Sequence, residues 1–309
     1  MFGLPARAVK FQQRGFRAAS ASVRDRLESV GGAFVSGYHL ALECKSISEL
    51  EAALDGVASE LRGFAFEGAA MGLALLDWLT PGRRDRVGGF LAGAGSAHAY
   101  MIHVGVGWVW ARAPWGFRRW QARMDPLLGW LAFDGWGFHE GFFHWPRYIA
   151  GQPAPKKLSG YERRVFDQGF GRSLWFVNGG NSELIARTIS NFSASRQADL
   201  WSGIGLAATY AGIVSEAALA ELRDRAGGFR PQLAQGAAFA AKARQRAGNL
   251  TDYTRLATET LCGRSETDAA RVTDKALENL PAGGELPAYE IWRRRIQNHF
   301  IPNHQPQPE

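Results

Sequence analysis

The chain has 309 residues, 46% of them hydrophobic and 21% charged, with a formal net charge of +7. These values exclude a disordered chain and a coiled coil and leave material for a sizeable core. Glycine is the anomaly: its 37 residues are about 12% of the chain against roughly 7% on average, with neither a collagen period nor a Gly/Ser linker to absorb them.

In chain order, Arg7, Lys10, Arg14, Arg17 and Arg24 all precede the first acid, Asp25. Residues 1–30 are therefore expected to form a basic arm, either solvated or set against a membrane surface or an acidic partner. The apolar residues between them are too broken up for a signal peptide. The only cysteines are Cys44 and Cys262, far apart and without a CxxC. A disulfide framework is excluded and a reducing cytoplasm is expected.

From residue 31 a short segment recurs, a polar residue before a glycine inside an apolar, small-residue run. Its glycines are read as Gly37, Gly68, Gly105, Gly141, Gly169, Gly203 and Gly236, at spacings of 31, 37, 36, 28, 34 and 33 residues. This is the period of helical-pair repeats. Each glycine sits in a first helix at a cost of about 1 kcal/mol relative to alanine, which close approach to neighbouring helices would offset. Second helices are expected over residues 47–61, 182–189 and 216–226, and a loop rich in proline replaces one after Gly141. The fold expected over residues 31–250 is all-α: an α/α superhelix or toroid of about seven repeats of roughly 33 residues, with a concave or enclosed lumen. Residues 251–309 add two helices, a break, an amphipathic helix and a Pro/Gln-rich tail packed on the same domain.

The residues immediately before the repeat glycines are Ser36, Glu67, Val104, Glu140, Gln168, Ser202 and Gln235, polar in all but one case. Two uses fit: hydrogen bonds between buried helices, or a lumenal ring that orients a ligand. Asp134, Asp167 and Asp199 are candidate helix caps. His103, His139 and His144, with Glu140, are the candidate metal ligands, and an imidazole and carboxylate set suits a redox metal or haem. HEGFFH, however, is neither HExxH nor Glu-x-x-His. Aromatic residues crowd the same stretch, and Trp108, Trp136 and Phe142 are candidates to line a pocket for a long hydrophobic or conjugated ligand. Basic residues are not interleaved among them, which argues against nucleic acid. GIGLAA at residues 203–208 resembles a dinucleotide fingerprint but lies inside the repeat with no βαβ context, so no nucleotide is expected.

The segments HAYMIHVGVGWVWAR, DPLLGWLAFDGWGFHEGFFH, DQGFGRSLWFV, ADLWSGIGLAATYAG and QLAQGAAFAAKAR together resemble a bacterial family of unknown function, the UnbL-type proteins associated with enediyne biosynthesis. The likeness extends over about residues 64–248. It implies a part in carrying a linear polyketide polyene toward a diyne-containing core, beside an ASPIC-type repeat protein and an integral membrane protein. It supplies no catalytic residue. The resulting expectation is a natural-product tailoring protein, cytoplasmic or peripheral at a membrane through its arm. Its lumen would hold the polyene and assist an oxidative step such as dehydrogenation. Glu67, His103, His139, Glu140 and Gln168 are the candidate catalytic groups, and Ser202 and Gln235 join the three aromatics as substrate-binding groups. The alternative is a non-catalytic scaffold whose concave face binds partner proteins.

Overall fold

The computed structural model describes residues 3–18, 20–80, 85–212, 214–281 and 284–301. The expected tail lies outside them from residue 302 onward. In chain order the helices are α1 (Phe11–Arg14), α2 (Ala21–Glu43), α3 (Ile47–Asp55), α4 (Ser59–Leu79), α5 (Arg86–Ala92), α6 (Ala99–Arg112), α7 (Phe117–Gln121) and α8 (Leu131–Gly151). They continue as α9 (Gly160–Val177), α10 (Ser182–Ser190), α11 (Ala194–Tyr210), α12 (Glu216–Arg225), α13 (Arg230–Arg246), α14 (Asp252–Cys262), α15 (Glu266–Lys275) and α16 (Ala288–His299). The described residues contain no strand. Among them no helix is long and apolar enough to cross a membrane.

The helices form two layers. The inner layer runs α2, α4, α6, α8, α9, α11, α13, α15, each against the next, while shorter helices such as α3 and α5, or α10, α12 and α14, neighbour one another outside. The outer helices start on side-chain caps: Ser46 for α3, Asn181 for α10, Ser215 for α12 and Thr251 for α14 each accept a backbone N–H, which satisfies a donor the first turn leaves unpaired.

Glycine sets the inner layer. A Cβ on Gly169 would fall inside the Asp134 carbonyl oxygen of α8, and one on Gly171 inside the Leu200 carbonyl oxygen of α11. Two residues turn a helix by about 200°, so a Gly-x-Gly pair frees both flanks of one helix for close neighbours. Gly105 and Gly107, Gly135 and Gly137, and Gly203 and Gly205 serve α6, α8 and α11 in the same way. Gly68 opposes Phe34 and Gly72 opposes Tyr38, four residues on in both helices, so inner neighbours run parallel and the outer layer carries the chain back. The curve closes: Arg244 of α13 donates to the carbonyls of Tyr210, at 2.6 Å, and Glu60, at 3.3 Å, and Asn249 donates to the Ser59 carbonyl at 2.9 Å.

Three expectations change. In α8 the glycine in register is Gly135, not Gly141, because Gly135 and Gly137 face α6 and α9, whereas Gly141 lies further along, against Ser173. The polar residue before it is therefore Asp134, not Glu140. The proline-rich stretch is not all loop: α8 kinks at His144, whose φ is −131°. Pro146, lacking an N–H to continue the ladder, leads a short return to Gly151. The basic arm is folded, with Leu4, Val9 and Phe11 buried, Lys10 paired with Glu28 at 2.6 Å and α2 running through residue 30.

The last of the described helices, α16, enters the ring. Tyr289, Trp292, Arg293 and Ile296 of α16 are 0% exposed. They reach Gln168 of α9, Asp199 of α11, Gln235 and Phe239 of α13, and Thr273 of α15. The N-terminal segment covers the C-terminal halves of α8 and α9, through Phe16 on Phe142 and the Arg17 N–H to the Val177 carbonyl at 3.0 Å.

Candidate functional site

Because each Gly-x-Gly directs its middle residue outward, the residues one before, three after and seven after the first glycine face the axis. Glu67, Trp108, Phe138, Arg172 and Tyr210 follow this rule and line an axial chamber with Phe142 and Phe176. The chamber offers only about 30 Å³ to the centre of a water molecule, room for a water or two. The Trp108 indole donates to Glu67 at 3.0 Å, and the Arg172 guanidinium lies 3.9 Å from the same carboxylate. Burial pushes the Glu67 carboxyl up to about 7, against the pull of Arg172 and Trp108. Arg172 also pairs with Asp134 and lies over the Phe138 ring, 4.9 Å from its centre.

The rest of the polar column forms bonds between helices. Gln168 donates to Asp134 at 2.7 Å and to the Tyr289 hydroxyl at 3.1 Å. Ser202 donates to Gln235 at 2.8 Å. Asp199 takes Arg293 at 2.7 Å and Arg164 at 2.9 Å, and Asp167 takes Arg196 at 2.9 Å. The three aspartates expected as caps thus hold arginines of α9, α11 and α16. Gln168, Ser202 and Gln235 secure α16 and one another, and none borders the chamber.

The candidate metal ligands do not converge. His139 is buried, its Nε2 accepting from Arg112 at 3.4 Å and its Nδ1 3.5 Å from Glu140. Burial lowers the His139 pKa, against the pull of Glu140. Burial would raise the Glu140 carboxyl, but His139 and other partners hold it below its ordinary value. His144 is exposed, its ring centre 6.1 Å from that of His139. His103 lies elsewhere. Among the described residues no three His, Cys, Asp or Glu side chains could hold a metal ion together. Trp136, the middle residue of its glycine pair, faces outward onto Phe117, ring centres 5.5 Å apart, away from the axis.

His103 precedes Val106 by three residues, which places both on the outward face of α6 and not in the lumen. They border a lateral groove of about 720 Å³ between the end of α4, α5, α6 and α7. Leu91, Ile102, Trp120, Met124 and Leu128 supply apolar walls, with Arg119, Arg123, Asp125 and Arg246 around them. His103 is 3% exposed, and its Nδ1 donates to the Ala99 carbonyl at 2.7 Å, since a carbonyl can only accept. That bond fixes Nε2 as the lone-pair nitrogen. Burial lowers the His103 pKa, and Arg246 adds to this, while the Ala99 bond and Asp125 oppose it, so the ring is neutral at pH 7. Except for His103, the groove was missed by sequence reasoning. The available signal was the middle position of Gly105-x-Gly107, which marks Val106 as outward.

Comparison with known proteins adds one assignment. A family model described as "Protein of unknown function (DUF1702)" matches residues 1–300. The chain belongs to this family. No curated protein and no solved structure matches this DUF1702 chain.

Proposed function

We propose that the lateral groove binds an elongated hydrophobic ligand, a linear polyene of natural-product biosynthesis, and sets His103 beside it as a proton acceptor. The observation that carries this reading is the contrast in room: about 720 Å³ in the groove against about 30 Å³ on the axis. Small-molecule sites fall between roughly 300 and 1,000 Å³, with mostly apolar walls and a few placed polar groups. A more open hollow of about 1100 Å³ beside α12 and α14 is bordered by Arg223, Arg230 and Arg264 and has no buried imidazole. The likeness of the glycine blocks to the enediyne-associated proteins gives the ligand class, with a repeat protein and a membrane protein as partners in the same reading. A scaffold that grips a partner on its concave face has less support, because α16 fills that face.

The test is a fluorescence titration with the methyl ester of parinaric acid, a conjugated tetraene. Saturable one-to-one binding is expected, weakened at least about tenfold by Leu91→Trp and by Met124→Trp, which fill the groove from half-buried wall positions. The His103 ring resonances should shift as the ester binds. Unsaturable binding, or binding indifferent to both substitutions, would overturn the proposal.

A further inference from the structure

The charges around the groove are unequally committed. Asp85 accepts the Gly88 N–H at 2.8 Å, capping α5. Asp125 accepts the N–H groups of Leu127, at 2.9 Å, and Leu128, at 2.7 Å. Asp77 holds the Arg86 guanidinium at 2.9 Å together with the N–H groups of Arg86 and Val87. Each carboxylate therefore answers to its own local structure. On the cationic side, Arg246 gives one Nε–H to the Ser96 carbonyl at 3.0 Å. Arg119 and Arg123 take part in none of the ion pairs found among the described residues. Arg119 lies in α7 and Arg123 just beyond its end at Gln121, with Trp120 between them on the groove wall.

Two uncommitted guanidinium groups at the edge of an apolar groove define a ligand with two ends. We infer that the groove takes a long unsaturated carboxylate, its chain along Ile102, Val106, Trp120 and Leu128 and its carboxylate between Arg119 and Arg123. This inference rests on the proposed reading of the groove as the ligand site. A guanidinium matches a carboxylate with two parallel N–H donors. A chain that excludes water from the groove strengthens the pairing beyond that of two freely solvated ions.

The experiment compares parinaric acid with its methyl ester on the full chain by fluorescence titration. The acid should bind about tenfold tighter than the ester, and the difference should shrink as salt screens it. Replacing both arginines, Arg119→Ala with Arg123→Ala, should bring the acid down to the affinity of the ester and leave the ester unchanged. Equal binding of acid and ester by the unaltered protein would overturn the inference while leaving the groove as a site for a neutral chain. A double variant that weakens both ligands equally would overturn it too, because the arginines would then shape the wall without reading charge. Failure of both ligands to bind saturably would overturn the groove reading and the inference with it.

Discussion

The axial chamber and the lateral groove share helix α6, and Trp108 and His103, five residues apart, serve one each. On the axis the guanidinium groups meet carboxylates: Arg172 pairs with Asp134 and Arg293 with Asp199. In the groove the carboxylates are tied to backbone or to Arg86, while two guanidinium groups and one imidazole nitrogen are left for something else. Burial of a polar column is therefore a poor guide to function in this fold. The informative signal is a charged or basic group beside open volume that its own structure does not use.

If the axis is structural, the largest effects of substitution must fall there. Gly169→Ala drives a methyl group into the Asp134 carbonyl and forces α8 and α9 apart. It should cost more than about 3 kcal/mol, enough to threaten folding. Gly32→Ala, in α2 with nothing within 4 Å of the added methyl, should gain up to about 1 kcal/mol through helix propensity. Denaturant unfolding of the pair checks both signs. Arg172→Leu leaves Asp134 buried without its cation and should cost about 3 kcal/mol or more. A loss under about 1 kcal/mol would break the comparison between the two regions.

The pH dependence follows with signs that oppose. Glu67 keeps its proton to about 7 in the folded state against an ordinary 4.5. Its contribution is complete below 4.5 and is lost as pH rises from there to 7. His98, stacked on Phe66 at 4.0 Å, is pushed by burial from 6.5 to about 4. Its contribution is complete above 6.5 and is lost as pH falls from there toward 4. Each is worth on the order of 3 kcal/mol. In unfolding measured across this range, the advantage of the parent chain over Glu67→Gln should therefore shrink as pH rises from 4.5 to 7, because His98 and the Asp167 carboxyl, itself pushed up to about 6 by burial, act alike in both. A constant advantage would mean that Glu67 does not stay protonated on the axis.

The smallest effects on stability belong to the groove. Arg119→Ala with Arg123→Ala should change unfolding free energy by no more than about 0.5 kcal/mol, because neither exposed side chain has an ion partner to lose. A larger loss, read from the same denaturant curves, would make the arginines structural and sharpen the contrast in the other direction.

The architecture was legible because glycine at a fixed period has one strong physical use in helices, close approach, and the outer helices begin on Ser, Thr and Asn. The use of the polar column was not legible: the register leaves both a lumenal ring and interhelix bonds open, and of the column only Glu67 borders the axial chamber while Gln168, Ser202 and Gln235 bond between helices. The register of α8 was not: Asp134-Gly-Trp-Gly and His139-Glu-Gly both fit the pattern, and only the neighbours' backbones choose between them. His103 is grouped with His139 as a candidate on adjacent inner helices, but it stands three residues before Val106, on the outward face of α6 beside the groove. The groove draws on residues from Asp77 to Leu128 together with Arg246, a convergence that depends on the ring closing. Arg293 at 0% exposure was equally hidden, since arginine in a terminal amphipathic helix ordinarily marks the solvent face.

The central claim is that ligand sits in the lateral groove and not on the axis. Hydrogen exchange of the full chain with and without bound parinaric acid tests it most directly. Protection should rise over α5, α6 and α7, residues 86–121, and stay unchanged over α9 and α11. Protection gained over α9 and α11, with none over α5 and α7, would place the ligand on the axis and contradict the account.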